Sequence, residues 1–261
     1  VAAKIVSVES VTTLSLTSRL YLLGRSALDP ITNSARPILS RLLGQGAQET
    51  ASTLYARITA VTRIAAVVVA GTIFAGNRSF VALWVGDQHY GGWALDAALA
   101  LSFIASSWIL PQRATLAAAL YKVPQHAINR LMSAATGLLL SILLASELGL
   151  PGAVLGIAAS ELLVSAWYLP LLVHQFFGES SRRPMKGSTL RLLLLAALVF
   201  TIAIVSRKFA GDAPRSLTAI AGPILTSGCI GALCGWYLAL TAAERSYALS
   251  RIQSHNRFLP R

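Results

Sequence analysis

Seven runs of about 16 to 33 residues, at 11–43, 54–76, 92–110, 128–148, 152–177, 190–205 and 217–243, are mostly apolar, and the last carries no charge at all. A run of about 20 such residues spans the hydrocarbon core of a bilayer as a helix, because a helix satisfies every backbone amide internally where water cannot. The pattern therefore predicts an all-α, polytopic transmembrane helix bundle with about seven spans. Composition agrees: mean hydropathy is +0.63 and charged residues make up 12% of the chain, about half of what a water-exposed surface needs. Turn chemistry separates the runs, as in GLPG at 149–152, GES at 178–180 and GDAP at 211–214.

The net charge of +12 does not point to nucleic acid, because the cations sit in short clusters between apolar runs, as membrane-flanking loops do. Counting Lys and Arg on alternate sides of the runs gives fourteen against five. The richer side holds the loops after the first, third and fifth runs and the C-terminal tail, which predicts a cytoplasmic C-terminus. Trp84, Tyr90 and Trp93 fall on the opposite side, where an interfacial aromatic belt belongs. Cys229 and Cys234 lie five apart in one apolar run and read as packing residues. The four histidines are dispersed without ligand spacing, so no metal site and no cofactor is expected. The opening VAAKIV has no signal-peptide architecture and reads as the tail of a preceding apolar helix.

The first run is the unusual one. Ser18, Tyr21, Arg25, Asp29, Thr32, Arg36 and Ser40 recur at intervals of 3, 4, 4, 3, 4 and 4, which aligns them as one stripe on a helix. Charge in a bilayer is tolerated only against water or a partner, so the stripe implies a hydrated cavity or a buried polar interface. Pro30 and Pro37 should bend this helix. Arg36 and Arg41 can snorkel to the surface. Arg25 and Asp29, i,i+4 apart, form an ion pair or face a cavity, and Arg19 is a further cavity cation. Arg63 and Glu161 each lie nine residues into their runs, about 13 to 14 Å deep and near the midplane. Substrate-binding candidates are thus Arg25, Arg19, Asp29, Tyr21 and Arg63. Glu161 is the ion-coupling candidate, able to carry a proton or pair with a cation. Asp96, about one turn into its run, is explained by contact with interfacial water.

Three stretches resemble the polysaccharide flippases of the multidrug/oligosaccharidyl-lipid/polysaccharide exporter superfamily. ARPILSRLLGQG at 35–46, followed by ETASTLYAR, is similar to a cytoplasmic loop of that family. FVALWVGDQHYGG at 80–92 resembles its element of tryptophan, small apolar residue and glycine at the outer end of a helix. INRLMSAATGLLLSILLASELGLPGAVLGIAASELL at 128–163 is similar to its Asn-led helix, outer Gly-rich turn and following helix. The likeness covers residues 8 to about 175; the last two runs match by hydropathy alone.

The resemblance implies the C-terminal bundle of a two-bundle, MATE-like transporter. Residues 1–177 would hold the end of helix seven and five spans, 178–243 two further transmembrane helices, and 244–261 a basic cytoplasmic tail. A preceding N-terminal bundle of the same chain would complete the cavity. It further implies a non-enzymatic flippase of the cytoplasmic (inner) membrane. By alternating access, such a protein moves a lipid-linked oligosaccharide of the undecaprenyl diphosphate type, as in O-antigen and lipopolysaccharide biosynthesis. Its partners would be that glycolipid and the membrane lipids. A multidrug or peptidoglycan-precursor exporter of the same fold is the nearest rival. A polytopic polymerase or glycosyltransferase would need catalytic acids in a sizeable loop, and the loops here are short with sparse acids.

Overall fold

The computed structural model describes residues 8–121, 123–178, 188–209, 217–235 and 237. The expected end of a preceding helix at 1–7, most of the loop at 178–189 and the basic tail at 244–261 lie outside the described residues. Those described are helical, with no strand among them.

The polar first run is three consecutive helices, α1 (Val8–Thr17), α2 (Arg19–Asn33) and α3 (Ala35–Gly44). Ser18 and Ser34 join them with right-handed helical torsions, so the path stays helical through both joints. The second joint follows from Pro37, which has no N–H to offer the Asn33 carbonyl. Pro30 is accommodated inside α2, and its own carbonyl accepts the Ser34 N–H at 3.0 Å.

α4 (Gln48–Val85) has 38 residues, about 57 Å at the helical rise and far longer than the hydrocarbon core. It is the central post, packed against α2 and α3, against α5 (Gly92–Trp108) and α6 (Leu110–Ala118), and against α10 (Ser188–Phe209) and α11 (Leu217–Cys234). Gly86, at φ +98°, ends α4 and starts the short turn leading into α5. α5 and α6 continue one another, with Pro111 in the first turn of α6, where its missing N–H costs nothing. The third span therefore does not end near residue 110. It runs to Ala118 and carries Arg113, which the charge count places in a loop, inside the helical bundle.

α7 (Val123–Leu148) and α8 (Leu150–Ser160) form a tight hairpin about Gly149. Gly156 lies so close to α7 that a Cβ there would collide with the backbone of Ser141, and Ser141 Oγ donates to the Ala153 carbonyl at 2.8 Å. Small residues let membrane helices approach this closely. A π-helical segment, Glu161–Ser165, links α8 to α9 (Tyr168–Phe177).

Among the described residues, five helical stretches are long and apolar enough to cross a membrane: Gln48–Val85, Gly92–Ala118, Val123–Leu148, Leu150–Phe177 and Leu190–Lys208. The first of the seven runs is not among them, since it is polar and divided at Ser18 and Ser34. The last is described only as a shorter apolar helix, Ala221–Cys234. One apolar core gathers Tyr21, Phe74, Leu95 and Phe103. A second, toward the other end of α4, gathers Leu39, Tyr55, Leu116, Leu169 and Phe177. Leu131, Leu138, Leu139 and Leu143 on α7 and Leu190, Leu193 and Leu194 on α10 remain exposed. Whole leucine faces of this kind fit hydrocarbon and not water, which makes this a membrane protein.

Candidate functional site

Among the described residues, charged side chains gather at several places between these helices. The most enclosed is built on Asp96, one turn into α5, which is fully buried and not in contact with interfacial water. Tyr21 of α2 donates to Asp96 Oδ1 at 2.9 Å, and Asn77 of α4 donates to the same oxygen at 2.8 Å. Tyr90 Oη donates to Oδ2 at 3.0 Å, and the Arg207 guanidinium of α10 lies 3.0 Å from it. Arg207 also donates to Tyr90 Oη and lies 4.4 Å over the Phe74 ring. Burial, reinforced by the Asp96 charge, holds the Tyr90 phenol above its ordinary pKa, so it stays a donor. Four helices and the turn before α5 are thereby tied to one carboxylate. Beside this network a cleft of about 690 Å³ is lined by Arg78, Asp87, Tyr90, Trp93, Arg207 and Lys208.

The predicted cavity residues do not gather at one place. Tyr21 is spent on Asp96. Arg25 pairs with Asp29 at 3.0 Å and donates to Ser106 Oγ at 3.0 Å, with Ser107 further off at 3.5 Å. Ser40 donates to the Ala118 carbonyl at 2.9 Å. Along much of its length the polar stripe thus faces α5 and α6 as an interface between helices, the second of the two environments its spacing allowed. Arg25 keeps 28% of its side chain exposed and Asp29 41%, so this pair stands at the edge of the bundle. Arg19 is on the exposed face of α2.

Arg63 is elsewhere again, buried at 4% exposure with its guanidinium 3.9 Å over the Trp108 ring. With the Gln112 amide oriented to satisfy both of its ends, the carboxamide oxygen accepts from Arg63 at 3.1 Å and the nitrogen donates to the Trp108 carbonyl at 2.9 Å. Such a cation is held in the interior by aromatic and amide partners.

Glu161 opens the π-helical segment and meets Arg113 of α6 in a two-pronged pair, Nη2 to Oε2 at 2.8 Å and Nη1 to Oε1 at 3.2 Å. Arg113 Nη2 also reaches Ser165 Oγ at 3.4 Å, and Ser165 Oγ donates to Asn129 Oδ1 at 3.1 Å. Both members of the pair are largely buried. Depth along its run marks the acid but not its partner, because Arg113 follows a proline at the end of an apolar run and reads as a loop cation. Among the described residues no three His, Cys, Asp or Glu side chains come together as a metal site, and both cysteines are free thiols.

No family model, curated protein or solved structure matches this chain.

Proposed function

We propose that the chain is part of a polytopic membrane transporter, a flippase that carries a lipid-linked oligosaccharide on a diphosphate anchor across the cytoplasmic membrane. Arg25 is the observation that carries this reading. It is a guanidinium in a helix of a membrane protein, fixed by Asp29 and Ser106, and its side chain remains 28% exposed at the edge of the bundle. A lipid has no use for such a group. A passing anionic headgroup does, since arginine keeps its charge when poorly hydrated and offers a fork that fits phosphate. The exposed leucine faces of α7 and α10 support the membrane half of the reading.

In this arrangement α2 borders a path completed by a second bundle, giving the seven-span half of a two-bundle transporter, with α10 and α11 as its added helices. The excess of cations on one side supports cytoplasmic placement of the connections at 45–47 and 119–122, and the turn at 86–91 then faces outward.

Arg25→Ala should lower export of the glycolipid about tenfold, equivalent to about 1.4 kcal/mol of lost headgroup stabilisation. Arg41→Ala, at an exposed cation of α3, should leave export within about twofold of the wild type. The comparison is made in a complementation assay at equal protein level. Equal export by the two variants removes Arg25 from the path.

A further inference from the structure

Between α1, α6, α7 and α8 lies a cavity of about 570 Å³, within the range of small-molecule sites. Its walls are apolar, with Leu14, Leu138 and Ile157 among them, and one end is charged, formed by Arg113, Arg130 and Glu161. The charge there is unbalanced. Glu161 takes both prongs of Arg113, whose buried Nε has no partner among the described residues. Arg130 lines the same cavity, is exposed, and makes no hydrogen bond or ion pair among the described residues. His126, one turn before Arg130, lies within electrostatic reach of Arg130, Arg113 and Arg36, and its buried Nε2 is likewise unpartnered among the described residues.

Two guanidiniums, Arg113 and Arg130, thus share one carboxylate beside low-dielectric walls, with the His126 imidazole within electrostatic reach of both. Such a site gains from taking up an anion, and the anion must carry more than one charge to match two forks. Tetrahedral oxyanions do this best, since adjacent oxygens meet a guanidinium two at a time. The apolar walls leave room for a hydrocarbon or sugar attached to that anion.

We propose that this cavity binds a phosphate or diphosphate group between Arg130 and Arg113, and that the incoming anion displaces Glu161 from Arg113. It rests on the transport reading only for the lipid that would bring the diphosphate. Glu161 is then the resident counter-ion of the empty site. It sits on the π-helical segment, where one register of hydrogen bonds already departs from the α-helix, so its release changes the joint between α8 and α9.

The test is calorimetric titration of the purified chain in nanodiscs of neutral phosphatidylcholine, with inorganic pyrophosphate and, separately, farnesyl diphosphate. Saturable one-to-one binding is expected. Arg130→Gln, at an exposed side chain with no partner among the described residues, should fold normally and weaken binding at least tenfold. Glu161→Gln should strengthen it about tenfold, a gain that a purely structural acid does not give. Tighter binding of farnesyl diphosphate than of pyrophosphate assigns the site to a lipid headgroup, and equal binding assigns it to free phosphate. Absence of saturable binding by both probes, or unchanged affinity in both variants, overturns the site. Because no export is measured, a chain that binds either probe yet supports no glycolipid export keeps the site and loses only the transport reading.

Discussion

Replacing Asp96 by alanine should cost about 3–5 kcal/mol of folding stability, the range for breaking a buried ion pair from one side. The variant leaves Arg207 charged and enclosed with no carboxylate, and it deprives Tyr21, Asn77 and Tyr90 of their acceptor. Because Tyr21 and Arg207 come from helices far apart in sequence, α2 and α10 should both loosen from the α4–α5 pair. Unfolding in detergent, followed by denaturant or heat, reads the loss. The double variant Asp96→Ala/Arg207→Ala separates this network from ordinary packing: it should be less damaged than the sum of the singles by at least about 1.5 kcal/mol, since the orphaned charge is gone. Strict additivity, or a loss under about 1 kcal/mol for Asp96→Ala, means the carboxylate does not tie these helices.

Gly156→Leu should be as severe by a different route. A Cβ at this position already meets the backbone of Ser141 and Leu140, which cannot swing aside as a side chain could. The α7–α8 hairpin must then separate, the bond from Ser141 Oγ to the Ala153 carbonyl breaks, and overpacking costs at least about 3 kcal/mol. Gly44→Ala is the control, because nothing lies within 4 Å of a Cβ there. Its stability should stay within about 0.5 kcal/mol of the wild type, while folded yield and melting temperature of Gly156→Leu collapse. A well-folded Gly156→Leu would mean the two helices do not approach as described.

These two sites mark how far the sequence could be read. Apolar run length was enough to find the helices of α4, α7, α8 and α10, because a membrane fixes the length a span needs. Helix ends were harder. The apolar run of the third span ends near Leu110, yet Pro111 begins a helix as readily as it stops one, and α6 carries Arg113 on into the bundle. The aligned stripe of α2 was visible in its 3–4 spacing, but spacing says which residues share a face and not what the face meets. Its partners Asp96, Ser106 and Ala118 lie about 75 to 81 residues away. For the same reason Asp96 read as a water contact. Depth within its own helix was the only signal available, and three of its partners, Tyr21, Asn77 and Arg207, come from other helices. Depth within its run marks Glu161, and its two-pronged partner Arg113 is found only once α6 and the π-helical segment meet.

The most direct test of the transport reading is the leaflet in which the lipid-linked oligosaccharide resides. In cells depleted of this protein, spheroplasts and inverted membrane vesicles are treated with a membrane-impermeant glycan oxidant, and the fraction of radiolabelled glycolipid attacked from each face is measured. Depletion should confine the glycolipid to the cytoplasmic leaflet, where only inverted vesicles expose it, and restoring the wild-type protein should return it to the outer face. An unchanged outward fraction in depleted cells would contradict the transport reading.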